Sequence, residues 1–217
     1  MNKLSFTQEY FLCAVNKNGE LPFLSSSDVA TCLVAGGVME LARQGLVVRD
    51  EKKKFSAAKT WDGSLPYLKP LYDTVAAFKK SKGAQGIVDP YAFSLSEKPL
   101  KELVAAFRAS LADCLNEVEE QGLFKDKTSY VPKPDVVTRI IEKVRAEFLE
   151  DGSIEEDVLC LAVLLNRTNL IRDYFSKVET TVMKKRIKEV QASEAYASVK
   201  DIFDYVAGVY VVLIAAT

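Results

Sequence analysis

The chain has 217 residues, 48% of them hydrophobic and 27% charged, with 29 Lys+Arg against 30 Asp+Glu and no histidine. That apolar fraction supports a packed core and excludes a disordered chain, and the near-neutral balance gives no overall sign of a nucleic-acid binder. The missing histidine removes the Ser-His-Asp triad, the Cys-His dyad, His-ligated zinc and the usual proton shuttle near neutral pH. Charge is split only mildly: residues 1–100 hold 13 Lys+Arg and 10 Asp+Glu, and residues 101–217 hold 16 and 20.

Taken in order, Ser5-Phe6-Thr7-Gln8 has the pattern of a capping box, with Ser5 capping a helix and Gln8 reaching back. The apolar run Phe11 to Val15 follows, and Asn18-Gly19 ends it. A second helix is predicted over Val29 to Gln44, closed by Gly45. It is apolar nearly all round, which reads as a central core helix. Gly36-Gly37 in its middle costs about 1 kcal/mol per Gly relative to Ala, tolerable where another backbone packs close. A helix followed by a hairpin also mimics a winged helix, but a recognition helix must show polar side chains to DNA bases, and Val29 to Ala42 does not.

Leu46-Val48 and Phe55-Ala57 predict a short hairpin with a charged tip, Asp50 to Lys54. Trp61 to Pro66 reads as a loop, and a helix is expected from Pro70 to Lys80 with Leu71, Val75 and Phe78 on one face. Lys82 to Gly86 reads as a loop and Tyr91 to Leu95 as a short helix. Pro99 then suits the first turn of a long helix through Leu103, Phe107, Leu111, Leu115 and Val118, closed by Gly122. A second hairpin is placed from Leu123 to Lys133, and a helix from Asp135 to Leu149. Ser153-Ile154-Glu155-Glu156 has the pattern of another capping box, opening an apolar helix Val158 to Leu165. Helices over Leu170–Ser176, Val178–Gln191 and Glu194–Ala216 complete the chain.

Cys13, Cys32, Cys114 and Cys160 sit among apolar neighbours without a CxxC pair, and read as buried free thiols in a reducing compartment. The N-terminus lacks the pattern of a signal peptide. The apolar run Val206 to Ala216 falls short of the roughly 20 residues of a membrane-spanning helix, so the chain is expected to be soluble and cytoplasmic. Ser56-Ala-Ala-Lys59 matches S-x-x-K, but no KTG or SDN motif accompanies it. Glu119-Glu120 and Glu155-Glu156-Asp157 could supply paired carboxylates, but they are placed near helix ends, where solvation or the helix dipole accounts for them, Glu155 and Glu156 as part of a cap. The basic runs Lys52-Lys53-Lys54, Lys79-Lys80 and Lys184-Lys185-Arg186 with Lys188 read as solvated faces, or as contacts to an anionic surface. No catalytic residue, metal site or cofactor is assigned.

The stretch Leu4-Ser5-Phe6-Thr7-Gln8-Glu9-Tyr10-Phe11-Leu12, then Val38-Met39-Glu40-Leu41-Ala42-Arg43-Gln44-Gly45-Leu46, then Pro99-Leu100-Lys101 and Glu120-Gln121-Gly122-Leu123, resembles the Golgi phosphoprotein family. Eukaryotic members of that family are phosphatidylinositol-4-phosphate-binding adaptors on Golgi membranes. The resemblance spans nearly the whole chain. It implies one mainly α domain over residues 1–217, with buried central apolar helices surrounded by amphipathic ones and two short β-hairpins. Of the family's four headgroup positions, Arg108 matches one, while Ser25, Val34 and Leu111 stand at the others. The family's membrane-dipping hairpin corresponds to Lys125 to Pro132, where Tyr130 and Val131 offer a small interfacial anchor. The family's basic leading tail has no counterpart before the first helix, which fits a minimal, bacterial-type member. The expected partner is an anionic phospholipid headgroup or membrane surface, met by Arg108, Tyr130 and Val131. A protein-binding scaffold of the same fold is the alternative, and nucleic acid is not an expected partner.

Overall fold

The computed structural model describes residues 3–21, 26–120, 127–150 and 152–192. Through these the chain runs α1 (Phe6–Ala14), α2 (Ser26–Arg43), β1 (Val47–Arg49), β2 (Phe55–Ala57), a 3-10 turn (Pro66–Leu68), α3 (Lys69–Ala76), α4 (Ala84–Ala92) and α5 (Lys98–Ser110). A second 3-10 turn (Ala112–Cys114), β3 (Leu115–Glu120), β4 (Lys127–Pro132), α6 (Pro134–Leu149), α7 (Glu156–Arg167), α8 (Ile171–Tyr174) and α9 (Lys177–Gln191) follow. Among the described residues the protein is therefore mainly helical, with two antiparallel two-stranded sheets, β1-β2 and β3-β4. These elements gather into two compact units. One holds the residues up to Val29 together with Leu111–Ala192, and the other is built on Ala30–Ser110.

In the first unit the Ser5 capping box forms as expected: Gln8 N–H donates to Ser5 Oγ at 3.2 Å and Ser5 N–H to Gln8 Oε1 at 3.1 Å. All nine residues of α1 are buried. It packs on α7, itself buried from Val158 to Leu165, and on α6. Fully burying each Leu, Val or Phe contributes about 1.5–3 kcal/mol, so these two apolar helices form the unit's centre. The amphipathic α6 and α9 pack against each other and onto α7.

The second unit is organised by the part of α2 that it contains, buried without a break from Ala30 to Leu41. Gly45 ends it at φ 66°, with Leu46 N–H donating to Leu41 O and Gly45 N–H to Ala42 O. That is a Schellman stop, which favours glycine because φ is positive. Gly37 is explained by side chains and not by backbone: a Cβ there would lie 2.7 Å from Leu71 Cδ2 and 2.9 Å from Leu68 Cδ2. The 3-10 turn and α3 both pack on α5, and α4 does so from its own side.

Several expectations are corrected. The long helix stops at Ser110, and Leu115 and Val118 belong to β3, so the second hairpin pairs Leu115–Glu120 with Lys127–Pro132. Glu119 and Glu120 consequently lie on a strand and not at a helix end. The segment read as a loop at Lys82–Gly86 begins α4, which continues through Pro90. No capping box forms at Ser153: Glu155 is the N-cap of α7, without a side-chain bond. The second capping box is instead Ser176 with Glu179, opening α9. The predicted helix Glu194–Ala216 lies outside the described residues.

Candidate functional site

Arg108 stands in the last turn of α5, where a cation complements the negative end of the helix dipole. It is half-buried. Its helix is anchored beneath it by Phe107, 0% exposed and 5.1 Å from the Tyr67 ring. The Tyr67 hydroxyl in turn donates to Glu40 Oε2 at 2.5 Å, holding a carboxylate that is 6% exposed within apolar α2. The sequence signal for this pair was a lone acid in an apolar helix. Of the other headgroup positions, Val34 is fully buried in α2 and Leu111 is buried at 1% exposure, so both are core side chains. Ser25 lies outside the described residues.

Tyr130 and Val131 belong to the first unit, Arg108 to the second. They occupy the body of β4, opposite Glu117 and Asn116, and both are half-buried. As consecutive strand residues they point to opposite faces. The turn after α1 is pressed onto the Tyr130 backbone. Gly19 has φ 74°, and a Cβ there would lie 2.8 Å from both Tyr130 N and Tyr130 O. Glycine is required at that point on both counts. Val131 lines a groove of about 440 Å³ whose apolar floor includes Leu12, Val137, Ile141 and Tyr174, with Lys17 and Arg145 also on its wall. Arg145 is committed there: it pairs with Glu142, donates to Glu179 at 2.7 Å, and lies 5.3 Å from the Phe175 ring centre. Sequence reasoning did not find this groove, because its lining comes from helices and a strand far apart in the chain.

Several of the other motif candidates are engaged in local pairs. Lys59 of the S-x-x-K match is exposed just beyond β2 and paired with Asp62 at 2.9 Å. Glu155 is paired with Lys3 at 2.7 Å. Arg186 donates to the Glu147, Phe148, Glu150 and Gly152 carbonyls, so the basic run on α9 is partly spent on the end of α6. All four cysteines are free and buried, and burial pushes the Cys13 thiol far up, away from reactivity. Among the described residues no group of three or more Cys, Asp or Glu is placed to hold a metal ion, and no helix is long and apolar enough to cross a membrane.

Among the described residues the fold and the site thus define a mainly helical protein with two small antiparallel hairpins and a half-buried arginine at the end of α5. The chain belongs to the Golgi phosphoprotein 3 (GPP34) family, whose sequence profile matches residues 7–206. No curated protein gives a significant match.

Proposed function

We propose that this chain is a non-enzymatic peripheral module that sits reversibly on anionic membrane surfaces, with residues 1–217 acting as one family domain. The observation that carries the reading is the family match over residues 7–206, which crosses both units. Arg108, half-buried at the end of α5, is the residue assigned to an anionic headgroup. Tyr130 and Val131 supply the interfacial contact. Placement on the cytoplasmic face follows from the same reading. Vesicle co-sedimentation tests it. The full chain is expected to pellet with vesicles containing phosphatidylserine or phosphatidylinositol 4-phosphate, and not with phosphatidylcholine alone. No association at low salt, where charge attraction is least screened, overturns it. Arg108→Ala is expected to weaken binding to the phosphoinositide more than to phosphatidylserine.

A second reading is a protein-binding scaffold of the same fold that has given up headgroup recognition. Burial of Val34 and Leu111 favours it, since neither can meet a soluble headgroup. It predicts equal, negligible binding to all three vesicle types.

A further inference from the structure

Two basic runs that are separate in sequence meet on one edge of the second unit. β2 is flanked on one side by β1 and on the other by residue 82. Phe55 N–H donates to Lys82 O at 2.7 Å and Lys82 N–H to Phe55 O at 3.1 Å, a single antiparallel bridge. This bridge sets Lys79, Lys80 and Lys82 alongside the strand that leads out of the Lys52-Lys53-Lys54 turn. All six lysines are exposed. Lys82 Nζ stands 4.5 Å over the Phe78 ring, and the neighbouring β1 residue Val48 is 48% exposed.

The charge count singles out this edge. Ala30–Ser110 carries thirteen Lys+Arg and eight Asp+Glu. Residues 49–54 and 79–82 hold seven of those cations and two of the acids. The rest of the segment balances at six and six, so its whole excess of five positive charges lies here. One of the two acids is used by the turn itself: Asp50 accepts from Lys54 N–H through its carboxylate and from Lys53 N–H through its carbonyl. Elsewhere in the segment Lys59, Lys69, Lys98 and Lys101 are each paired to a carboxylate.

Lys53 adds an independent observation. Its φ is 59°, the left-handed region in which a hairpin turn ordinarily uses Gly or Asn. The turn therefore keeps a lysine where the backbone disfavours one. Strain of this kind points towards function when other observations agree.

We infer that this lysine edge is an electrostatic docking surface for the headgroup layer of an anionic bilayer, distinct from the Arg108 position. It rests on the membrane reading above and names a surface that reading did not include. The chemistry favours a bilayer over nucleic acid. The cations are almost all lysines, point charges suited to dispersed headgroups and not to bidentate base contacts. Phe55 is 2% exposed and Phe78 lies beneath Lys82, so no open aromatic platform exists there for base stacking.

The test uses the full chain with vesicles of phosphatidylcholine alone and of phosphatidylcholine mixed with phosphatidylserine. Each lysine near such a surface is worth about a fivefold change in partition. K52Q/K53Q/K54Q and K79Q/K80Q/K82Q are each expected to weaken binding to the anionic vesicles by about a hundredfold or slightly more, with thermal unfolding little changed. K53G separates charge from fold: it relieves the turn, so stability is expected to hold or rise while partition falls about fivefold. Anionic binding by the wild type that survives in both triple variants overturns the edge and leaves the membrane reading standing. A wild type that ignores anionic vesicles overturns both. Lysine-dependent binding to a short DNA duplex, without vesicle binding, overturns the bilayer assignment.

Discussion

Glu9 is 7% exposed and receives Lys143 Nζ on its two oxygens at 2.6 and 2.7 Å. Burial pushes its carboxyl above the usual range, Lys143 pulls it back, and Asp157 and Glu155 add smaller upward pushes. A raised value means that the folded state holds this proton more tightly than the unfolded chain does. Its contribution to stability is therefore largest below the ordinary carboxylate range and declines as pH rises through that range to the raised value. Lys143→Met leaves the carboxylate buried without its cation, and is expected to cost about 1–3 kcal/mol at neutral pH. The loss should shrink in acid, where Glu9 is protonated. Urea unfolding of Lys143→Met and of the double variant with Glu9→Gln checks this: the second change is expected to recover most of the loss.

At the scale of elements, the junction between α6 and α7 depends on one side chain from α9. Arg186 Nη1 donates to the Glu147, Phe148 and Glu150 carbonyls at 2.9, 2.9 and 2.7 Å, and Nη2 to the Gly152 carbonyl at 2.8 Å. The last carbonyls of a helix have no partner within it, and a planar guanidinium can serve several of them together. Arg186→Ala is expected to lower stability by about 1–3 kcal/mol. Arg186→Lys should recover less than half, since an ammonium cannot span the same carbonyls. Chemical denaturation of the two variants side by side gives the comparison. Lys185 and Lys188 of this basic run do lie on a solvated face, as expected, but Arg186 does not act there: nothing local to α9 reveals that the end of α6 lies against it.

At the scale of the molecule, the four cysteines come from four separate elements or turns, and all are buried. Thiol labelling of the native protein is therefore expected to be slow at every site, with all four reacting promptly in denaturant. One fast thiol in the native state would show that its surroundings open well below global unfolding. Charge behaves differently from apolar burial, because it is segregated. The formal net charge of −1 conceals a segment, Ala30–Ser110, with an excess of five positive charges. If that excess drives membrane association, binding should fall steeply with salt, as the Debye length contracts from about 10 Å at 0.1 M to about 3 Å at 1 M. A partition that ignores ionic strength would assign the association to apolar contact.

The sequence by itself determined the helices whose apolar residues recur at three and four positions, the Ser5 capping box, the Gly45 stop and the β1-β2 hairpin. Each of these is fixed by contacts within a few residues. The family was legible too, since it is carried by the order of such local signals along the chain. Tertiary structure decided the rest. Leu111, Leu115 and Val118 have helical spacing, yet the chain leaves the helix at Ser110. Six residues of β3 find β4 as a partner, and Lys133 closes the base of the hairpin by donating to the Cys114 and Asp113 carbonyls. Lys82 to Gly86 reads as a loop, yet α4 begins at Ala84 and runs on across Gly86 and Pro90. Ile87, Val88 and Tyr91 are buried there, and the Tyr91 hydroxyl donates to Pro70 O at 3.2 Å. Burial of that order outweighs a local propensity cost of a few kcal/mol. The candidate surfaces follow the same division. Arg108 and the separate lysine runs could be named from sequence, but the edge that joins the lysines exists only through the Phe55–Lys82 bridge. A backbone pairing between distant residues leaves no periodic trace in the chain.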